Sequence, residues 1–130
     1  MNICIVMAAI IERGDKWFVA RRKPEKKMGG LWEFPGGKLE PSDPSPEAGL
    51  QRELREELCI ETHIGEALAS TDFTYDGQIY RVVAYSATHL SGEIVLTDHD
   101  AMAWVLPTNL LHYDLTPADR DLLRKLGLAV

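Results

Sequence analysis

The sequence predicts an α+β protein in which helices pack on a mixed β-sheet. Apolar runs typical of strands occupy the start and the middle of the chain, whereas only two segments carry helix signals, one between these runs and one near the end. The composition agrees, because 45% hydrophobic and 26% charged residues are typical of a folded globular chain. We expect the 130 residues to form a single domain over residues 1–130.

The strands are predicted from apolar patterns bounded by turns. Residues 3–11 form an apolar run rich in β-branched side chains, a glycine-containing turn follows, and residues 16–22 resume an extended pattern, which predicts a hairpin. After a basic loop, residues 31–40 predict a short strand that a Pro-Gly-Gly sequence interrupts. Between residues 62 and 107, alternating apolar residues and glycine turns predict further strands with connecting loops.

Both helices are predicted from their start signals. Ser45 is placed as the N-cap of the first helix and Pro46 occupies its first helical position, so this helix is expected over residues 46–58. Thr116 and Pro117 announce the last helix, in which three leucines are spaced for burial. Since strands precede and follow the first helix, the helices are expected to cover the sheet.

Charge and run length argue against two classes of partner. The formal charge of −6 argues against a general binder of nucleic acid polymers, because phosphate backbones are held by clustered lysines and arginines. The longest apolar run, residues 3–11, is about half of a membrane-spanning helix and lacks the flanks of a signal peptide. We therefore expect no membrane partner and a cytoplasmic monomer or homodimer, with Cys4 and Cys59 as reduced thiols.

The first predicted helix carries three glutamates on one face. At about 100° per residue, Glu56 and Glu57 lie within about 60° of Glu53, next to a stripe of leucines expected to be buried. Arg52 and Glu56 have the spacing of an ion pair. Glu53 and Glu57 have the same spacing and repel each other. The pattern fits either a solvated, ion-paired face or a divalent cation held by carboxylates and carbonyls of the glycine turn.

The stretch GGKLEPSDPSPEAGLQRELREELCI, which begins at Gly36, resembles the Nudix box, G-x5-E-x7-R-E-U-x-E-E-x-G-U with U a bulky aliphatic residue. The C-terminal half is in register from Arg52 to Glu57. The segments GLWEFPGGK, TDHDAMAW and LTPAD are similar to the MutT branch of the Nudix hydrolases. This resemblance implies an α/β/α sandwich around a mixed sheet, and hydrolysis of a nucleoside diphosphate linked to another group with Mg²⁺ or Mn²⁺.

Two positions depart from the box. Cys59 occupies the place of the final glycine, which implies a helix end without a residue that easily adopts the left-handed conformation. Asp43 occupies the place of the first acidic residue, but it lies nine residues before Arg52 where the box has eight. One residue is thus inserted in the proline-rich loop, and only the role of Asp43 is in question.

The resemblance implies a role for each box residue. Glu53 and Glu57, with the carbonyl of Gly36, are the expected main metal ligands, and Glu56 supports a further ion. Arg52 is expected to hold Glu53 in position. The box therefore implies a cation site on the first helix.

The family often places another acidic residue on a late loop, as a ligand or general base. Asp98 and Asp100 are the candidates, and Asp98 is favoured because it lies six residues before Trp104, where the MutT pattern has glutamate. His99, between them, is interpreted as incidental, because a lone loop histidine has no partner that the sequence names.

Six residues are expected to bind the substrate: Arg22, Phe34, Lys38, Tyr75, Gln78 and Asp119. Arg22 and Lys38 are the candidates for phosphate binding. The resemblance to the MutT branch implies a polar reader of the base near the start of the last helix, and this position is Asp119. When ionised it would accept a hydrogen bond from an exocyclic amine such as that of cytosine, and when protonated it would share a proton with a purine edge. The other three are expected to complete the pocket, although Phe34 fits the core equally well.

The favoured function is Mg²⁺-dependent hydrolysis of a (deoxy)nucleoside triphosphate to the monophosphate and pyrophosphate, with an oxidised guanine nucleotide or CTP as the substrate. The alternatives are hydrolysis of a dinucleotide polyphosphate or nucleotide sugar, a non-catalytic nucleotide sensor, and a charged scaffold without a ligand. The three glutamates favour an enzyme, because sensors of this fold typically lose box carboxylates.

Overall fold

Helices lie on both faces of a mixed β-sheet in the computed structural model, which describes residues 2–128. This arrangement confirms the predicted α+β class. The elements in chain order are β1 (Ile3–Arg13), β2 (Lys16–Arg22), β3 (Trp32–Glu33), β4 (Gly36–Lys38), α1 (Pro46–Leu58), β5 (Glu61–Tyr75), β6 (Gln78–Ser91), β7 (His99–Val105), a 3-10 helix (Pro107–His112) and α2 (Pro117–Lys125). No helix within the described range is long and apolar enough to span a membrane.

Strand β1 is the centre of the sheet. It runs parallel to β6, and β6 in turn pairs antiparallel with β5. On its other side β1 pairs antiparallel with β4 and, near the hairpin, with β2. Strands β3 and β7 are antiparallel neighbours of β2. The sheet is therefore mixed, as the sequence predicted.

Burial on both faces explains why β1 reads as a continuous apolar run. Met7 and Ile11 pack with the buried leucines of α1, whereas Ala8 and Ile10 pack with those of α2. A strand with one solvated face alternates polar and apolar residues, and a strand covered on both faces does not. The two helices thus form separate layers on opposite sides of β1.

The segment from β3 to β4 crosses a gap between two parts of the sheet. Strands β1 and β2 pair only next to their hairpin, where Glu12 lies opposite Trp17. Farther along, β4 pairs with β1 while β3 pairs with β2, and the amide of Ala9 donates to the carbonyl of Pro35 between them at 2.8 Å. The single interrupted strand predicted here is therefore two short strands with different neighbours.

Helix α1 begins where the sequence predicted, but its end differs. The Ser45 hydroxyl accepts a hydrogen bond from the amide of Ala48 at 3.1 Å, as an N-cap does. The expectation for Cys59 was wrong, because it adopts the left-handed conformation with φ 61° and ψ 33°. Its amide donates to the carbonyl of Arg55 at 3.0 Å. This helix-end bond is retained despite the steric cost of a side chain in that conformation.

The loop over residues 93–98 is attached to the C-terminal end of α1. The amides of Val95 and Thr97 donate to the carbonyls of Leu58 and Glu57 at 3.0 and 3.1 Å. Carbonyl groups in the last turn of a helix have no partner inside the helix, so these bonds satisfy them. Strand β7 begins only after this loop.

Candidate active site

The carboxylates of α1 range from buried to exposed along one face. Glu57 is only 5% exposed, Glu53 is partly buried and the side chain of Glu56 is 59% exposed. The adjoining stripe of Leu50 and Leu54 is fully buried. The predicted position of the glutamates at the edge of the core is confirmed.

Arg52 connects the proline-rich loop to the glutamates. Its Nε and Nη2 donate to the two oxygens of Asp43 at 2.9 and 3.0 Å. Its Nη1 donates to Glu53 and Glu56 at 3.1 and 3.2 Å and lies 3.0 Å from Glu40. These bonds with Arg52, and then the amide of Glu40, lower the pKa of Asp43. The inserted residue therefore does not prevent Asp43 from pairing with the box arginine.

The predicted turn at Gly36 and Gly37 is the start of strand β4, where an added Cβ would meet backbone at Gly36 and a side chain at Gly37. A Cβ at Gly37 would lie 2.4 Å from the carboxylate carbon of Glu53, and one at Gly36 would lie 1.9 Å from the carbonyl oxygen of Met7. The turn is thus packed directly against both β1 and the acidic face of α1. The predicted proximity of this turn to the glutamates is present in the structure.

Three ligand-type side chains meet beside this turn. Glu33, Glu57 and His99 each offer one atom, and these atoms lie within 4.8 Å of one another. Burial raises the pKa of Glu57 to about 9, with further contributions from the charges of Glu33, Glu53 and Asp98, while a backbone hydrogen bond from Gly36 opposes the shift. Burial also raises the pKa of Glu53. Such a cluster gains stability from a positive charge placed among its oxygens.

The donor chemistry of the cluster fits a hard divalent cation. Oε2 of Glu57 is buried and has no hydrogen-bond partner among residues 2–128. Buried polar atoms are normally satisfied, so an unpaired carboxylate oxygen indicates a ligand. Carboxylate oxygens are ligands of Mg²⁺, Ca²⁺ and Mn²⁺. The residues of the cluster therefore suit such a cation by their donor chemistry.

A cavity of about 800 Å³ opens beside the cluster. Five of the six residues predicted to bind the substrate line this cavity: Arg22, Phe34, Lys38, Tyr75 and Asp119. Gln78 does not line it, because its amide donates to the carbonyls of Asn2 and Ile79 at 3.0 and 2.8 Å. Ligand pockets commonly enclose about 300–1,000 Å³, so the cavity suits a small molecule.

Asp119 lies in the wall of the cavity at the start of α2. Its Oδ2 accepts a hydrogen bond from the amide of Phe34 at 2.9 Å, and the residue is 5% exposed. Burial and then the charge of Glu33 raise the pKa of Asp119 to about 7, although the bond from Phe34 opposes the shift. Near neutral pH this carboxyl group can therefore exist both as a donor and as an acceptor.

Aromatic and basic side chains flank the other side of the cavity. Phe73 and Tyr80 stack with their ring centroids 5.1 Å apart. Lys27 places its Nζ 3.6 Å from the ring centroid of Tyr75, a cation–π contact between the basic loop and the tip of the β5–β6 hairpin. Lys38 is exposed, with its Nζ 5.4 Å from the centroid of Tyr80.

Asp98 and His99 differ in their surroundings although they are neighbours. The Asp98 side chain is 49% exposed and lies 3.6 Å from Nζ of Lys26. Asp98 is near enough to Glu57 to raise the pKa of that residue. The premise that His99 is a lone loop histidine was wrong, because His99 is the first residue of β7 and is buried with its Nε2 2.9 Å from Glu33.

Sequence reasoning missed both Glu33 and His99. Glu33 lies between Trp32 and Phe34, and a charged residue between two large aromatic ones in a strand was the available signal. His99 had no local signal, since its partner is 66 residues away in the chain.

Comparisons with known proteins agree on one family. The profile of the NUDIX domain matches residues 3–126. A CTP pyrophosphohydrolase from Escherichia coli is 43% identical over 95% of this chain and 90% of its own length. An 8-oxo-dGTP diphosphatase from Proteus vulgaris is 46% identical over 44% of this chain and 50% of its own length. The crystal structure of a MutT NUDIX hydrolase from Burkholderia pseudomallei superimposes with a TM-score of 0.83 at 27% identity, covering 97% of this chain and 99% of that one.

Proposed function

Since this chain belongs to the MutT-like branch of the NUDIX family, we propose that it hydrolyses a nucleoside triphosphate to the monophosphate and pyrophosphate. The observation that carries this proposal is that Glu33 and the Gly36-Gly37 turn border the acidic face of α1 and also line the cavity. A nucleotide in the cavity would thus extend its phosphates toward the carboxylates.

A divalent cation, Mg²⁺ or Mn²⁺, is the proposed cofactor. Glu53, Glu57 and the carbonyl of Gly36 would hold it, and Glu56, at the exposed end of the face, would support a further ion. The unpaired oxygen of Glu57 supports this assignment. When bound, such a cation neutralises charge on the transferring phosphoryl group and on the leaving group.

Arg52 and Asp98 are proposed to assist the glutamates in different ways. Arg52 fixes Glu53 through the bond at 3.1 Å, while Asp43 and Glu40 keep the guanidinium in place. Asp98 is half exposed and close to Glu57. Its carboxylate is therefore the candidate general base that takes a proton from the attacking water.

The cavity offers separate groups for the phosphates and for the base. Arg22 and Lys38 would contact the phosphates, because both line the cavity and carry positive charge. Asp119 and Phe34 also line the cavity, joined by the hydrogen bond between them, and would contact the base, with Tyr75 at the hairpin tip as a further aromatic surface.

Two substrates are supported by specific observations. A cytidine triphosphate is the first candidate, because ionised Asp119 accepts a hydrogen bond from an exocyclic amine and the E. coli relative is named a CTP pyrophosphohydrolase. An oxidised guanine nucleotide is the second. Asp119, with a pKa of about 7, can also donate a proton to a purine edge, and the Proteus vulgaris relative is named an 8-oxo-dGTP diphosphatase.

The proposal is tested by pyrophosphate release with and without Mg²⁺ from CTP, dCTP, dGTP, 8-oxo-dGTP, a diadenosine polyphosphate and a nucleotide sugar. We expect metal-dependent release from one triphosphate above the rest. Glu53→Gln should abolish turnover, whereas Glu66→Gln, in an exposed part of β5, is the control for loss of one carboxylate. If no compound released pyrophosphate but the protein still bound nucleotide, the protein would be a nucleotide sensor and not an enzyme.

A further inference from the structure

Glu33 approaches the acidic helix from outside it. It belongs to β3, yet one of its ligand atoms lies within 4.8 Å of those of Glu57 and His99. Glu33 also lines the cavity proposed for the substrate. It therefore borders both the proposed cation site and the proposed nucleotide site.

One oxygen of Glu33 is fixed by two donors. Nη1 of Arg22 donates to Oε2 of Glu33 at 3.0 Å, and Nε2 of His99 lies 2.9 Å from the same oxygen. Because an ionised carboxylate only accepts, this second contact places the imidazole proton on Nε2. Both donors contact Oε2, so Oε1 is left for another partner.

The burial of His99 is explained by this contact. Its side chain is fully buried, and its Nδ1 has no hydrogen-bond partner among residues 2–128. An apolar residue would fill the same space without leaving a polar atom unsatisfied. The polar function of His99 is therefore its bond to Glu33.

Glu57 supplies an independent sign of a ligand between the two carboxylates. Its Oε2 is buried and has no partner within the part of the chain that the structure describes. Arg22 and His99 contact Glu33 and not Glu57. Two nearby carboxylates repel each other unless a cation lies between them.

We propose that Glu33 is a further ligand of the cation held by Glu57, and that His99 is the positioning residue that directs the Glu33 carboxylate toward it. The inference rests on the proposed function for the cation at α1. It assigns a ligand that lies outside the helix and reaches the cation from the substrate side. Groups that hydrogen-bond to metal-ligating side chains typically change metal affinity about 10–100-fold, which sets the expected effect of His99.

The test measures Mn²⁺ binding to the full chain without nucleotide, through the electron paramagnetic resonance signal of the free ion. We expect Glu33→Gln and His99→Leu each to weaken the tightest Mn²⁺ site by about 10-fold or more, since leucine cannot donate a hydrogen bond to Glu33. Glu25→Gln and His63→Leu are the matched controls, since both residues are exposed and lie outside the cluster. They should bind Mn²⁺ as the wild type does.

Each part of the inference has its own contradicting result. Unchanged Mn²⁺ affinity in Glu33→Gln would overturn the ligand assignment. If that variant also binds CTP more weakly in EDTA, Glu33 is a nucleotide contact. A loss in Glu33→Gln without a loss in His99→Leu would overturn the positioning role. Circular dichroism of the metal-free proteins controls for folding. If Glu33→Gln is unfolded, Glu33→Asp takes its place, because it keeps the charge on a shorter side chain.

This binding assay separates the inference from the proposed function. If the wild type binds Mn²⁺ through Glu33 but hydrolyses none of the nucleotides, the function fails and the ligand assignment stands. If the wild type hydrolyses a nucleotide and Glu33→Gln binds Mn²⁺ normally, only the ligand assignment fails.

Discussion

Replacing Asp119 by asparagine should remove a pH-dependent destabilisation of the fold. Asp119 is buried, its Oδ2 accepts a hydrogen bond from the amide of Phe34 at 2.9 Å, and burial together with the charge of Glu33 raises its pKa to about 7 from 3.8. The carbonyl of an asparagine can accept the same bond. The substitution therefore removes the ionisation and keeps the shape of the side chain.

The sign and size follow from proton binding. Between pH 3.8 and about 7, the folded protein keeps a proton on Asp119 that the unfolded chain has released. Because the native state binds more protons in this window, the free energy of unfolding falls as pH rises, by about 1.4 kcal/mol per pH unit. Summed from pH 3.8 to about 7, the loss is about 4 kcal/mol, so above pH 7 the wild type is less stable by about this amount. Asp119→Asn should recover that stability.

The difference in the free energy of unfolding is measured by urea unfolding of the wild type and of Asp119→Asn in EDTA. The pH is varied from about 5 to 8, a range that brackets the raised pKa. The stability advantage of the variant should grow with pH up to about 7 and then level off. Asp15→Asn, in the exposed β1–β2 turn, controls for the change in net charge. An advantage that does not vary with pH would refute the reasoning.

Three further changes test other parts of the structure. Cys59→Gly should stabilise the protein by about 0.5–1 kcal/mol in urea unfolding. It relieves about 1–2 kcal/mol of strain in the left-handed conformation, but part of this gain is lost because glycine gives up more conformational entropy on folding. Gly37→Ala should change stability little but lower turnover by about 100-fold, because the added Cβ would lie 2.4 Å from the carboxylate carbon of Glu53 and would displace that side chain from its position beside Arg52. Removal of Mg²⁺ by EDTA should abolish turnover and, relative to Mg²⁺ at 100 times its dissociation constant, lower the free energy of unfolding by about 2.7 kcal/mol.

Each of these expectations has a matched comparison. Cys59→Ala keeps a side chain in the left-handed conformation, so equal stability of the alanine and glycine variants would contradict the strain argument. Gly36→Ala would collide with backbone at 1.9 Å and should unfold the protein more readily than Gly37→Ala. Equal melting temperatures with Mg²⁺ and with EDTA would contradict a bound cation.

Local chemistry made helix α1 predictable from the sequence. Ser45 and Pro46 act within a single turn, and the buried leucines follow directly from the period of 3.6 residues. The graded burial of the glutamates follows from the same period, because Glu57 lies nearer the leucine stripe than Glu56 does.

Contacts between distant segments were not predictable in this way. The bond between Glu33 and His99 depends on β3 and β7 both flanking β2, which no local pattern in either segment reveals. Gln78 was assigned to the pocket from the resemblance to the family, but the paths of the neighbouring strands decide which backbone groups it meets. At Cys59 the sequence showed a departure from glycine. The helix end nevertheless imposes the left-handed conformation there, although cysteine disfavours it.

The attachment of the loop 93–98 to α1 bears on how this site tolerates insertions and deletions. The loop amides bond to the same helix that carries Glu53 and Glu57, so the position of Asp98 is tied to the helix that carries those carboxylates. The proline-rich loop before α1 has no such tie to the carboxylates except through the Arg52 side chain, and it has accepted an extra residue while Asp43 still reaches Arg52. Length variation is therefore compatible with the site on the N-terminal side of the helix, whereas a single added residue in the loop 93–98 would break its register with the helix end and carry Asp98 away.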